Sequence, residues 1–140
     1  MSFREKSAWI TFVLILGAFG TYFLNVAAHL LSPAYPHYNN FSLFIGLLVA
    51  IVVLEIVLHL LAAARSPQDA STPEDERERL IALKATRPAF FVLVAGALLA
   101  IGTIHLGADS GLLVHAVLFA IWIAELTRYG AQIYYYRRDA

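Results

Sequence analysis

Charged and turn-forming residues of this chain withdraw from four long stretches. Residues 8–31, 41–64, 88–107 and 112–133 are almost wholly apolar, each with 20 or more residues. At 1.5 Å of rise per residue, each is long enough as a helix to cross a hydrocarbon core of about 30 Å. A backbone in lipid must satisfy its own hydrogen bonds, which leaves helices or a closed barrel, and alternating ten-residue patterns are absent. The pattern therefore predicts an all-α fold, a four-helix transmembrane bundle.

The chain has 140 residues, 60% of them hydrophobic, with a mean hydropathy of +0.70. That surplus makes the bilayer its solvent. Net charge is zero, which argues against direct nucleic-acid binding. Cysteine is absent, so disulfides, thiolate catalysis and Cys-ligated metal sites are excluded. Arg4-Glu5-Lys6 precedes a first apolar stretch too long for a signal-peptide core, so it reads as a retained span.

Charge position sets the topology. All ten Lys and Arg residues fall on one side of the four spans: Arg4 and Lys6, then Arg65, Arg77, Arg79, Lys84 and Arg87, then Arg128, Arg137 and Arg138. The loops at 32–40 and 108–111 contain none. The positive-inside rule then places both termini and the loop at 65–87 in the cytoplasm. Tyr35 and Tyr38 mark the outer boundary, and Tyr134, Tyr135 and Tyr136 the inner one. Spans 1 and 2 form one hairpin and spans 3 and 4 another.

Within the cytoplasmic loop, residues 65–71 read as polar and irregular. Thr72-Pro73-Glu74-Asp75 reads as a helix start, with Thr72 as N-cap and Pro73 in the first helical position. A short helix over 73–87 should follow and run into span 3, with a kink or a fresh start at Pro88, which cannot donate to the Lys84 carbonyl.

The halves resemble each other. Phe12 to Ala18 matches Phe91 to Ala97, aligning Gly17 with Gly96, and Leu48 to Glu55 matches Leu118 to Glu125, aligning the two acids. Two hairpins pointing the same way form a parallel repeat about an axis along the membrane normal. Small residues Gly17, Gly20, Gly96, Ala100 and Gly102 offer close helix contact, within the bundle or across a homodimer.

Glu55 and Glu125 each lie about 12–14 Å in from the cytoplasmic end of their spans. An ionisable group at that depth costs several kcal/mol unless paired, hydrated or neutralised, so both should face the bundle interior. His59 is four residues beyond Glu55; Arg128 and Tyr129 are three and four beyond Glu125. Arg128 would keep Glu125 charged, while Glu55 and His59 would exchange protons. A static clamp of Glu125, Arg128 and Glu55 explains the same residues. A divalent metal at Glu55, His59 and Glu125 fits less well, because the paired Glu-x-x-His motifs of di-iron bundles are absent.

Histidines gather at the outer face: His29, His37, His105 and His115, with Asn25 and Asp109 nearby. They serve either as interfacial anchors or as ligands; His29, His105 and His115 are the candidates for a metal or a haem. No phosphate loop, nucleophile with a His partner or H-E-x-x-H motif occurs, so nothing points to an enzyme.

The opening Met1-Ser2-Phe3-Arg4-Glu5-Lys6-Ser7-Ala8-Trp9 and the segment Asp75-Glu76-Arg77-Glu78-Arg79-Leu80-Ile81-Ala82-Leu83-Lys84-Ala85 carry a resemblance. The chain resembles a group of small uncharacterised bacterial four-span membrane proteins with a D-E-R-D/E-R-L-I motif before span 3. Some members are encoded beside small helix-turn-helix regulators. The resemblance implies an inner-membrane location and a sensory or regulator-binding role. It transfers no catalytic residue. In physical terms the charged helix from Glu74 to Lys84, with Arg77 and Arg79, suits a cytoplasmic partner, or is simply a solvated helix that caps span 3.

The expectation is a non-enzymatic membrane protein, homo-oligomeric in lipid. It would bind or sense a small ligand or proton in an inner-leaflet pocket of Glu55, His59, Glu125, Arg128 and Tyr129, and signal through its cytoplasmic helix. A small transporter or proton channel using Glu55 and Glu125 is the alternative, and a haem or metal redox protein the third reading.

Overall fold

The computed structural model describes residues 3–32, 40–71, 73 and 75–138. Every element among them is helical: α1 (Phe3–Leu31), α2 (Asn40–Arg65), the short α3 (Pro67–Ser71), α4 (Glu76–His105) and α5 (Ser110–Arg138). The four long helices are each apolar and long enough to cross a membrane, so the chain is all-α with four spans. It divides into two compact units, Met1–Ser71 and Thr72–Ala140. In each, two long helices pack as a hairpin. Tyr35, His37, Tyr38 and Thr72, which carried expectations above, lie outside the described residues.

In the first unit, α1 buries Ala8, Thr11, Tyr22 and Val26. Spacings of three, eleven and four keep these on one helical face, which α2 covers. On α2, Ile51 is buried. The Tyr22 ring meets Phe44 at 5.7 Å and Phe23 at 5.1 Å, and Phe19 meets Phe44 at 6.2 Å. These contacts set an antiparallel register. The stretch expected to be irregular contains α3, which packs on the end of α2.

The second unit is closed by small residues. Ile81, Ala85, Ala89 and Ala100 are buried on α4, and Ala120, Ala124 and Ile133 on α5. A Cβ built on Gly96 would lie 2.6 Å from Ala120 Cβ and 3.2 Å from its Cα, so the two backbones nearly touch there. Small residues four apart let helices approach this closely in lipid, where packing rather than water expulsion holds them together.

A tight turn joins the pair. The Ala108 N–H donates to the Thr103 carbonyl at 3.1 Å and the Gly107 N–H to that of Ile104 at 3.1 Å, forming a Schellman cap. Gly107 carries the required positive φ of 81°. Asp109 then caps α5, its Oδ1 accepting from the Leu112 N–H at 2.7 Å. Gly107→Val is expected to lose about 1–2 kcal/mol through left-handed strain, and Asp109→Ala about 1 kcal/mol through the lost cap. Unfolding titrations in mixed micelles, followed by helical circular dichroism, check both.

Three expectations need correction. α4 does not restart at Pro88 but runs unbroken from Glu76 to His105, so the cytoplasmic stretch runs into the third span as expected, without a fresh start. The Lys84 carbonyl freed by Pro88 belongs to the charged end of the helix, between the exposed Lys84 and Arg87, where a missing bond costs less than it would in hydrocarbon. The helix begins after Asp75, not at Pro73: Asp75 is extended (φ −75°, ψ 151°) and its carbonyl accepts from the Arg79 N–H at 3.0 Å. Finally, the likeness between the halves does not extend to packing. A Cβ added at Gly17 would meet nothing within 4 Å, whereas the counterpart Gly96 is pressed against Ala120. Gly102 also meets open space, while Gly96 and Ala100 lie at the α4/α5 seam.

Candidate functional site

A polar ladder runs up the α1/α2 seam from its basic end. At the rim, Lys6 Nζ donates to Ser66 Oγ at 3.1 Å. Next, Ser7 Oγ and His59 Nε2 are 2.6 Å apart, and His59 Nδ1 lies 2.7 Å from the backbone oxygen of Glu55. The register of Ser7 with His59, shared by Tyr22 with Phe44, puts Glu55 level with the buried Thr11. Glu55 is ten residues before the end of α2, about 15 Å along the helix. Beyond it the seam closes with Ile51, Phe19, Phe44 and Tyr22.

The helices explain this placement. Ile51 faces α1, and Glu55, one turn on, continues the same stripe with half-exposed Leu58 and Ala62. On α1, Arg4, Ser7 and Thr11 recur at helical spacing, so a polar edge enters the apolar span on the face that meets α2.

The tautomer of His59 follows from its partners. A carbonyl oxygen only accepts, so Nδ1 carries the hydrogen. In neutral imidazole Nε2 then offers its lone pair, and the Ser7 hydroxyl donates to it. In imidazolium the direction reverses, with Nε2–H donating to Ser7 Oγ. The α1–α2 link survives both states; what changes is where the Ser7 hydroxyl proton points.

This differs from the expected Glu55–His59 pair. The imidazole takes the carbonyl of Glu55 rather than its carboxylate, because a side chain four residues on lies directly over that carbonyl. Among the described residues the Glu55 carboxylate has no hydrogen bond or ion pair. Ser7, Lys6, Ser66 and Thr11 were not anticipated as site residues; the signal available was the polar edge of α1.

In the second unit, Arg128 Nη2 meets Glu125 Oε2 at 2.8 Å and also donates to Tyr129 Oη at 2.8 Å. The guanidinium carbon lies 4.6 Å from the centre of the Tyr129 ring. The side chains of Arg128 and Glu125 are 36% and 38% exposed, so solvent screening leaves this pair a modest contribution. Glu125 sits one position past the buried Ala124, at the edge of the seam with α4. Glu55 and Glu125 thus occupy different surroundings, one unpaired and one clamped.

His29 and His115 are half-buried and His105 is exposed. Asp109 does not pair with His105 at helical spacing, since it lies beyond the end of α4 and its carboxylate caps α5. Among the described residues no three His, Asp or Glu side chains gather where a metal ion could be held.

No curated protein matches the chain, and no solved structure does. A family model does match, over residues 4–140, and its description is a predicted membrane protein, in agreement with the four apolar helices and their lipid-facing surfaces. The chain is therefore a multi-pass membrane protein belonging to the DUF2178 family.

Proposed function

We propose that this chain is a non-enzymatic, proton-responsive protein of the bacterial inner membrane, with its site on the α1/α2 ladder. The observation that carries this reading is His59, whose two ring nitrogens are both engaged at 2.6 and 2.7 Å. A metal ion or larger ligand would have to break those bonds, whereas a proton only reverses one of them. His is also the side chain whose charge changes between about pH 5 and 8. Arg4, Glu5 and Lys6 on α1, and Glu55 and Arg65 on α2, are the charged residues within about two turns of it along the packed helices. The ladder opens at the basic end and stops at the aromatic closure, which favours sensing over passage through this hairpin. The cytoplasmic stretch of α4, with Arg77 and Arg79, is continuous with its membrane-crossing part and would present the state to a cytoplasmic partner.

The test uses Trp9, two residues from Ser7, as a reporter in a Trp122→Phe background in nanodiscs. Its fluorescence is expected to change in a single transition as pH is varied. That transition should be lost in His59→Gln, which keeps a hydrogen-bonding group, and displaced in Ser7→Ala. A pH profile unchanged by His59→Gln sinks the reading. Proton flux into liposomes that disappears in Glu55→Gln would replace it with transport. Because the chain lacks cysteine, Arg79→Cys takes a single label; a label indifferent to pH would remove the relay while leaving the site intact.

A further inference from the structure

We infer that the membrane-proximal stretch of α4 is a docking face for an anionic bilayer surface. Arg77, Leu80, Lys84, Arg87 and Phe91 recur at spacings of three and four, so they share one face of the helix. All five are exposed, and Leu83 beside them is exposed as well. The face turned toward α5 is a different one, carrying Ile81, which is 2% exposed, and Ala85, which is fully buried.

Depth decides what the exposed face meets. Counting back about 20 residues from His105 puts the hydrocarbon edge near residue 86. Arg87 and Lys84 then lie at the level of the lipid phosphates. Leu83 and Leu80 lie roughly 4–9 Å further out, in the headgroup zone. The same level on α5 carries aromatic and basic residues: Tyr134 is exposed and meets Tyr135 edge-on, with Arg137 and Arg138 just beyond.

Lys84 and Arg87 make no ion pair with an acid among the described residues. The acids of this segment, Asp75, Glu76 and Glu78, fall N-terminal to Leu80, further from the membrane. Two unpaired cations at phosphate depth, flanked by leucines that water would leave bare, complement a surface with negative headgroups and an apolar interior. A zwitterionic surface offers no net charge to match them. The partner this face fits is thus a leaflet of phospholipids with net negative charge. The inference uses none of the residues of the His59 site and shares only Arg77 with the proposed relay; its test rests on Lys84 and Arg87.

The experiment reconstitutes the whole chain in mixed phosphatidylcholine and phosphatidylglycerol nanodiscs and counts the lipids it retains by native mass spectrometry. The wild-type chain is expected to retain phosphatidylglycerol preferentially, and less so in high salt. Lys84→Gln and Arg87→Gln should each cut that preference roughly five-fold, while Lys84→Arg and Arg87→Lys should keep most of it. Circular dichroism of each variant confirms an intact helix content. Unchanged preference in the double Gln variant would overturn the inference. So would full displacement of the lipid by inorganic phosphate, which would mark a free-anion site rather than a bilayer face.

Discussion

Gly96→Leu is expected to unseat α5 from α4, at a cost of about 3 kcal/mol or more. The contact that forbids it is with Ala120, whose Cβ and Cα stand 2.6 and 3.2 Å from where a first side-chain carbon would go. Neither atom belongs to a flexible chain end, so no rotamer change makes room and the helices must part. Parting them loosens Ala85, Ala89, Ala100 and Ala124 together. In lipid no hydrophobic force restores the lost contacts, because acyl chains are as apolar as the seam. Gly102→Leu and Gly17→Leu are the controls: nothing lies within 4 Å of a Cβ at either, so both should be close to neutral. Ala120→Gly should rescue Gly96→Ala, with a coupling that a double-mutant cycle reads directly. Unfolding titrations in mixed micelles provide the measurement. Equal behaviour of Gly96→Leu and Gly102→Leu would show that the small-residue seam does not hold the hairpin.

Tyr22→Ala should destabilise the first hairpin by about 3 kcal/mol, the lower end of what truncating a core aromatic costs. The ring is 2% exposed and packs edge-on against Phe44 and Phe23. Each such ring pair contributes about 0.5–1.5 kcal/mol beyond simple burial. Tyr22→Phe keeps the ring and removes the hydroxyl, so it should cost only about 1 kcal/mol. If both substitutions cost the same, the hydroxyl rather than the aromatic packing is what matters at this position. The aromatic closure would then need another explanation.

Hydropathy made the four spans legible, because in lipid a helix is the cheapest way to satisfy a backbone. The interior detail was less legible. Pro88 suggests a break because proline removes a bond, yet whether that bond matters depends on access to water, which spacing does not encode. Glu55 and His59 at helical spacing suggest that their side chains pair. The imidazole instead turned to a carbonyl and to Ser7, since the hairpin register, hidden in the sequence, brings Ser7 alongside. Glu125 with Arg128 and Tyr129 was the easier reading, because all three lie within about one turn and need no register. The apparent kinship of Gly17 and Gly96 misled for the opposite reason: similar residues do not fix which side of a helix is covered.

The unbroken run of α4 from Glu76 to His105 has a mechanical consequence. Thirty residues span about 45 Å, so a tilt of about 5° pivoting at the outer end sweeps the opposite tip through about 4 Å. A jointed segment would absorb that movement at its hinge. A single lever magnifies it instead, turning a slight lean within the bilayer into a displacement comparable to the width of a methyl group.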